Sequence, residues 1–106
     1  MKDMLDRLSQ ADPNAFATYA KLMRDCNMFI DARISPAILQ AVLQEAIQAH
    51  RSADFLNDWF WKIEYLDCDI YEATVYRRTG YISKERHDSP VAALLAAYLS
   101  AIEVQA

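Results

Sequence analysis

His50 and His87 are the two histidines of this 106-residue chain, and neither stands in the HxH or HxxxH spacing that brings two imidazoles onto one metal ion. Each reads as an ordinary polar end, His50 closing a surface helix and His87 closing a strand. Asp67 and Asp69 flank Cys68 as a bare DxD. Two carboxylates so spaced can clasp a hard cation, but the same pair makes a turn, because aspartate hydrogen-bonds its own backbone in preference to a sheet ladder. The turn is the expected role. There is no GxSxG elbow, and one glycine, Gly80, cannot build a phosphate-cradling glycine loop. The expectation is a protein that is not an enzyme, with no cofactor and no metal. Cys26 and Cys68 lack a CxxC spacing and are expected as reduced thiols.

Charge is unevenly placed along the chain. Arg77, Arg78, Lys84 and Arg86 against Glu85 give residues 77–87 a net +3, although the whole chain carries −4. Those four basic side chains are the candidate nucleic-acid contact. Residues 54–72 hold Asp54, Asp58, Glu64, Asp67, Asp69 and Glu72 against Lys62, a net −5. In a meander this acidic segment is expected beside the basic one, so a phosphate backbone would meet repulsion within about one Debye length, ~8 Å at physiological salt, of its attraction. A solvated face with compensating charges is the plainer expectation for both groups.

Trp59, Phe60 and Trp61 form a third cluster. Successive side chains of a strand leave opposite faces, so the three cannot all reach one core. Either a helix covers each face of the sheet, the expected arrangement, or an aromatic is left on a binding surface that Tyr65, Tyr76 and Tyr81 would extend.

The elements that would position these residues follow from caps and periodicity. The composition, 54% hydrophobic and 25% charged, is that of a folded globule. A chain of this length suits a single domain over 1–106, with a helical part over 1–52 and a βββα part over 57–104. Asp12-Pro13, Ser35-Pro36 and Ser89-Pro90 each place a capping side chain before a proline whose φ is preset for a first helical turn. Apolar residues at spacings of three and four then predict helices from Pro13 into the 21–27 region, from Pro36 to about His50, and from Pro90 to about Glu103, after a short helix over Lys2–Ser9. Between the second and third capped helices the period changes to two. Trp59, Trp61, Ile63 and Tyr65 alternate with polar or opposite-facing partners, and Tyr71, Ala73 and Val75 do the same, predicting two strands joined at Asp67-Cys68-Asp69.

A third strand follows Gly80. Arg77-Arg78-Thr79 with a left-handed Gly80 predicts a three-residue hairpin loop. Tyr76 then opposes Ile82, Thr74 opposes Lys84 and Glu72 opposes Arg86, the last an opposite-charge pair worth about 0.2–1 kcal/mol. A two-residue loop would instead turn Lys84 and Arg86 onto the face of Ala73 and Val75, which is costly for charge. The expected fold is α+β, with N-terminal helices, a three-stranded antiparallel meander and a C-terminal helix in the order αααβββα. No apolar run approaches the roughly 20 residues that cross a bilayer, and the N-terminus has no secretory h-region. A cytoplasmic setting is expected.

From Ser35 the order αβββα, with Ser83-Lys84 and an alanine-rich closing helix, resembles the double-stranded RNA-binding domain. That family opens its closing helix with phosphate-gripping lysines, whereas the matching positions here are Asp88, Ser89, Pro90 and Val91, so nucleic acid is disfavoured as a ligand by this route. Residues 59–103 also resemble small phage and prophage proteins of the ABA-sandwich type. Trp61, Tyr71, Val75, Tyr76, Gly80, Tyr81, Ile82, Pro90, Ala93, Leu94 and Ala97 carry that likeness. It implies a fold and a phage setting in the cytoplasm of a bacterial host, and no catalytic residue. The expectation that follows is an accessory protein that binds a host protein or nucleoprotein complex, such as a CRISPR effector, as an anti-CRISPR inhibitor. Asp58, Glu64, Asp67, Asp69 and Glu72 would mimic nucleic acid, and Trp59 and Tyr76 would anchor the contact. A nucleic-acid-binding module using Arg77, Arg78, Lys84 and Arg86 is the first alternative. A homodimer formed through the edge of the third strand is the second.

Overall fold

The computed structural model describes residues 2–25, 34–50 and 58–105. Its elements are α1 (Lys2–Ala11), α2 (Pro13–Asp25), α3 (Ile34–Ala49), β1 (Phe60–Leu66), β2 (Ile70–Arg77), β3 (Gly80–His87) and α4 (Pro90–Gln105). The strands form one antiparallel sheet in the order β1-β2-β3, as the αααβββα reading expects. Cys26, and with it any pairing to Cys68, lies outside the described residues.

Two of the three proline caps form as expected. Asp12 Oδ1 accepts from the Ala15 N–H at 3.1 Å, and Ser89 Oγ from the Ala92 N–H at 3.1 Å, each relieving one of the orphan donors of a first turn. The third cap is displaced. α3 already begins at Ile34, which leaves Pro36 at its third position. That position is still inside the first turn, where a backbone N–H has no intrahelical partner and proline forfeits nothing.

α4 is the centre of the molecule. Every residue from Val91 to Leu99 is buried, because the sheet packs on one side of the helix while α1 and α3 pack on others. A helix enclosed this way is apolar all round rather than striped. Ala93, Ala97 and Ala101 are fully buried, and their small side chains bring the helix backbone down onto the sheet. There Ser83 Oγ donates to the Ala97 carbonyl at 2.5 Å. Leu94, Leu95 and Leu99 join Leu8, Leu39, Leu43, Ile47 and Val75 in one core, at about 1.5–3 kcal/mol for each large side chain removed from water.

The hairpins fix which residues face that core. Leu66 pairs with Ile70, so Asp67-Cys68-Asp69 is the turn, with positive φ at Cys68 (64°) and Asp69 (58°). In the second hairpin Glu72 opposes Arg86 and Thr74 opposes Lys84 as expected, but Tyr76 opposes Tyr81, not Ile82, and Arg77 opposes Gly80. The loop therefore has two residues, and Ile82 is an extra residue in β3. This bulge restores the alternation that a two-residue loop alone would have inverted, and keeps Lys84 and Arg86 off the core face. Gly80 adopts φ 149°, away from the left-handed helical region expected of it but still a conformation that favours glycine.

Candidate functional site

Ser83 and Glu85 reach α4, through the Ala97 carbonyl and Ser100 Oγ respectively, so α4 lies on the face shared by Ala73, Val75, Ser83 and Glu85. By alternation Lys62, Glu64, Glu72, Thr74, Tyr76, Lys84 and Arg86 leave the opposite, outer face. The expectation of a helix over each face is not met among the described residues. The helices gather around α4 instead, and Phe60 emerges on the outer face beside Tyr76, with ring centroids 5.6 Å apart.

The register sorts this outer face into rows across the sheet. Phe60, Tyr76 and Tyr81 form an aromatic row, Lys62, Thr74 and Lys84 a second row, and Glu64, Glu72 and Arg86 a third. Successive rows lie about 7 Å apart, two residues along a strand. The acidic turn at Asp67 and Asp69 closes one end of the sheet and the basic turn at Arg77 and Arg78 closes the other. Charge is thus graded along the strands, from acidic to basic, rather than set side by side between an acidic and a basic strand.

Aromatic and cationic groups are interleaved at the basic end. The Arg78 guanidinium sits 5.3 Å from the Phe60 ring centroid and Lys84 Nζ 5.4 Å from that of Tyr81, both within cation–π range. Tyr81 is 70% exposed. Arg78, Tyr81 and Lys84, together with Lys62, Thr74, Tyr76, Arg77 and Gly80, line a surface groove of about 670 Å³. Thr74 is 3% exposed, and its Oγ1 finds no hydrogen-bond partner among the described residues. A buried hydroxyl left in that state costs about 1–3 kcal/mol. Arg77 Nε is buried without a partner in the same way.

The acids on this face are already engaged. Glu72, with its side chain 10% exposed, accepts from Arg86 Nε at 2.8 Å and lies 3.9 Å from Lys84 Nζ. Lys62 Nζ and Glu64 Oε1 are 2.9 Å apart. Their hydrogen bond and attraction raise the lysine's pKa and lower the carboxylate's, a weak pair at a surface where water and salt screen it.

A second polar constellation runs from the buried Tyr98 through the half-buried Asp12 and the exposed His50 at the edge of the helical layer. Tyr98 donates to Asp12 Oδ2 at 2.5 Å, and His50 Nε2 lies 3.2 Å from the same phenolic oxygen. Since the one phenolic proton goes to Asp12, the imidazole must donate from Nε2. The His50 ring stacks on Trp59 with centroids 4.1 Å apart. Burial is the larger influence on His50 and lowers its pKa, with Asp12 opposing. Burial, followed by the Asp12 carboxylate, raises that of Tyr98 far above the ordinary phenol range. The chain Asp12–Tyr98–His50 joins the start of α2, α4 and the end of α3. Its groups hold one another, and among the described residues no trio of metal-ligating side chains is gathered.

The sequence-derived candidates are therefore dispersed. Trp59 is 8% exposed and is held by His50, so it is packed rather than presented. Asp67 and Asp69 are exposed at the turn, with Asp69 accepting from the Tyr65 hydroxyl at 3.3 Å. Asp58 precedes β1, and Glu64 and Glu72 sit in the third row. Of the four basic candidates, Lys84 and Arg86 share the outer face two residues apart, Arg78 lies over Phe60, and Arg77 has its Nε buried. Lys62 and Thr74 were not among the candidates. The three-residue turn at 67–69 signalled both, since it sets the β1–β2 register that puts Lys62 across from Thr74. Among the described residues no helix is long and apolar enough to cross a membrane. Comparison with protein families, curated proteins and solved structures finds no match.

Proposed function

We propose that the chain is a non-catalytic binding module whose outer sheet face takes single-stranded nucleic acid. The observation that carries this reading is the pair of adjacent rows on that face, Phe60–Tyr76–Tyr81 beside Lys62–Thr74–Lys84. Every base has a π-face, so a ring presented to solvent, as Tyr81 is at the edge of the half-buried Phe60 and Tyr76, gives sequence-tolerant stacking of about 1–3 kcal/mol per base, and flanking cations track the backbone. A duplex would gain nothing from the rings. The start of α4, with Asp88, offers it no phosphate grip of the double-stranded RNA-binding kind.

Protein binding through acidic mimicry, as of a host defence complex, draws less support. Glu72 and Glu64 are paired to Arg86, Lys84 and Lys62, and the proposed anchor Trp59 is buried. The chain's net charge of −4 means that association depends on this local face and not on overall attraction. Fluorescence anisotropy with labelled single-stranded and duplex oligonucleotides at low salt tests the proposal. Single strands should bind more tightly, and Tyr81→Ala should weaken them by roughly an order of magnitude. Equal affinity for duplex, or indifference to Tyr81→Ala, overturns the stacking face.

A further inference from the structure

Thr74 stands on the central strand with a lysine directly across from it on each neighbour, Lys62 on β1 and Lys84 on β3. Thr74 lines the groove, and its hydroxyl, without a partner among the described residues, is closed off from solvent, so the side chains over it must part before an anion reaches it. Each lysine holds its ammonium on a carboxylate of the next row, Lys62 on Glu64 at 2.9 Å and Lys84 on Glu72 at 3.9 Å, and either stem can swing back over Thr74.

We propose that the Lys62–Thr74–Lys84 row is a phosphate seat, with the attached nucleoside lying over the aromatic row. This rests on the single-strand reading for the source of the phosphate, but the seat itself is specified by these three side chains. Thr74 Oγ1 donates to a non-bridging oxygen, an acceptor that carries charge and makes a stronger bond than a neutral one. Lys62 and Lys84 flank the anion as mobile point charges on flexible stems. Both have some distance to travel. Lys62 exchanges Glu64 for the anion, and Lys84, already 3.9 Å from Glu72, exchanges a weaker contact. Glu64 and Glu72 across the next row limit affinity and place the phosphate toward the aromatic side. The spacing of about 7 Å between rows on a strand matches the offset of a nucleotide's base from its phosphate. One nucleotide therefore spans Thr74 and the ring of Tyr76 or Tyr81.

Adenosine monophosphate, inorganic phosphate and a single-stranded oligonucleotide are the probes, each titrated against the full chain by NMR, with anisotropy for the oligonucleotide. Thr74→Val keeps the branched shape and removes the hydroxyl, and Thr74→Ser keeps the hydroxyl. The expected result is about a tenfold loss of affinity in Thr74→Val, restored in Thr74→Ser. Without ligand, Thr74→Val should match or exceed the wild type in thermal stability, because it removes an unpaired buried hydroxyl. A Thr74→Val that destabilises the free protein assigns the hydroxyl a structural partner and overturns the seat. So does oligonucleotide binding that ignores both Thr74→Val and a Lys62→Gln, Lys84→Gln double variant, and in that case the stacking face stands. Binding of adenosine monophosphate through Thr74 without binding of strands keeps the seat and removes the strand. No response to any probe removes both.

Discussion

Tyr98 donates its phenolic proton to Asp12 Oδ2 at 2.5 Å, tying α4 to the junction of α1 and α2 across 86 positions of sequence. The same carboxylate caps α2 through Oδ1, so one residue serves a local and a long-range purpose. Tyr98→Phe removes both hydrogen bonds, and since the half-buried Asp12 and the exposed His50 can turn to water it should cost about 1 kcal/mol in urea denaturation. Asp12→Ala loses the cap as well and should cost about 1 kcal/mol more. In a double-mutant cycle the two should be strongly non-additive. Simple additivity would show that the contact contributes little.

The position of His50 gives a pH dependence with a definite sign. Burial holds its pKa below the ordinary value of 6.5, so as pH falls the unfolded chain takes up the proton first. The stability due to the neutral, stacked imidazole is complete above about 6.5 and is lost as pH drops through the lowered folded value. The stability difference between wild type and His50→Gln, measured by urea denaturation, should shrink between about pH 7.5 and about pH 5.5. A difference that stays constant would mean that the ring is no less protonated in the folded state.

How far these features could be read beforehand depends on what each requires. The caps at Asp12 and Ser89, the strand alternation and the pairing of Glu72 with Arg86 are local matters of dihedral preference and charge, and they were legible. The Ser35 cap was misplaced because the first turn of a helix tolerates proline at more than one position. The bulge at Ile82 was missed since a three-residue loop and a two-residue loop with a bulge leave Lys84 on the same face. The Asp12–Tyr98–His50 chain was beyond reach, as it exists only once α4 docks against two other helices.

Gly80 is required by its backbone rather than by space. At φ 149° it adopts a conformation that side chains disfavour, yet a Cβ there would meet nothing within 4 Å. Gly80→Ala should lower stability by about 1 kcal/mol or more through strain alone, visible as a lower thermal midpoint. An unchanged midpoint would mean that the turn relaxes to a negative φ without cost.

Glu72 restrains the basic residues beside it. Replacing it in Glu72→Gln removes one negative charge from the third row and frees Lys84 and Arg86 from their ion pairs. Affinity for single-stranded oligonucleotide should rise severalfold at low salt and the gain should fade as salt rises. A fall in affinity would place the ligand on some other surface.

The most direct measurement is the salt-dependent affinity of the full chain for a single strand of about ten nucleotides, within the range that small binding folds cover. Binding that weakens with log salt at a slope of about −0.7 for each phosphate engaged, and that drops in both Tyr81→Ala and Lys84→Ala, is the expected result. Absence of binding at low salt, or binding unaffected by either substitution, would contradict the assignment of the outer sheet face as the working surface.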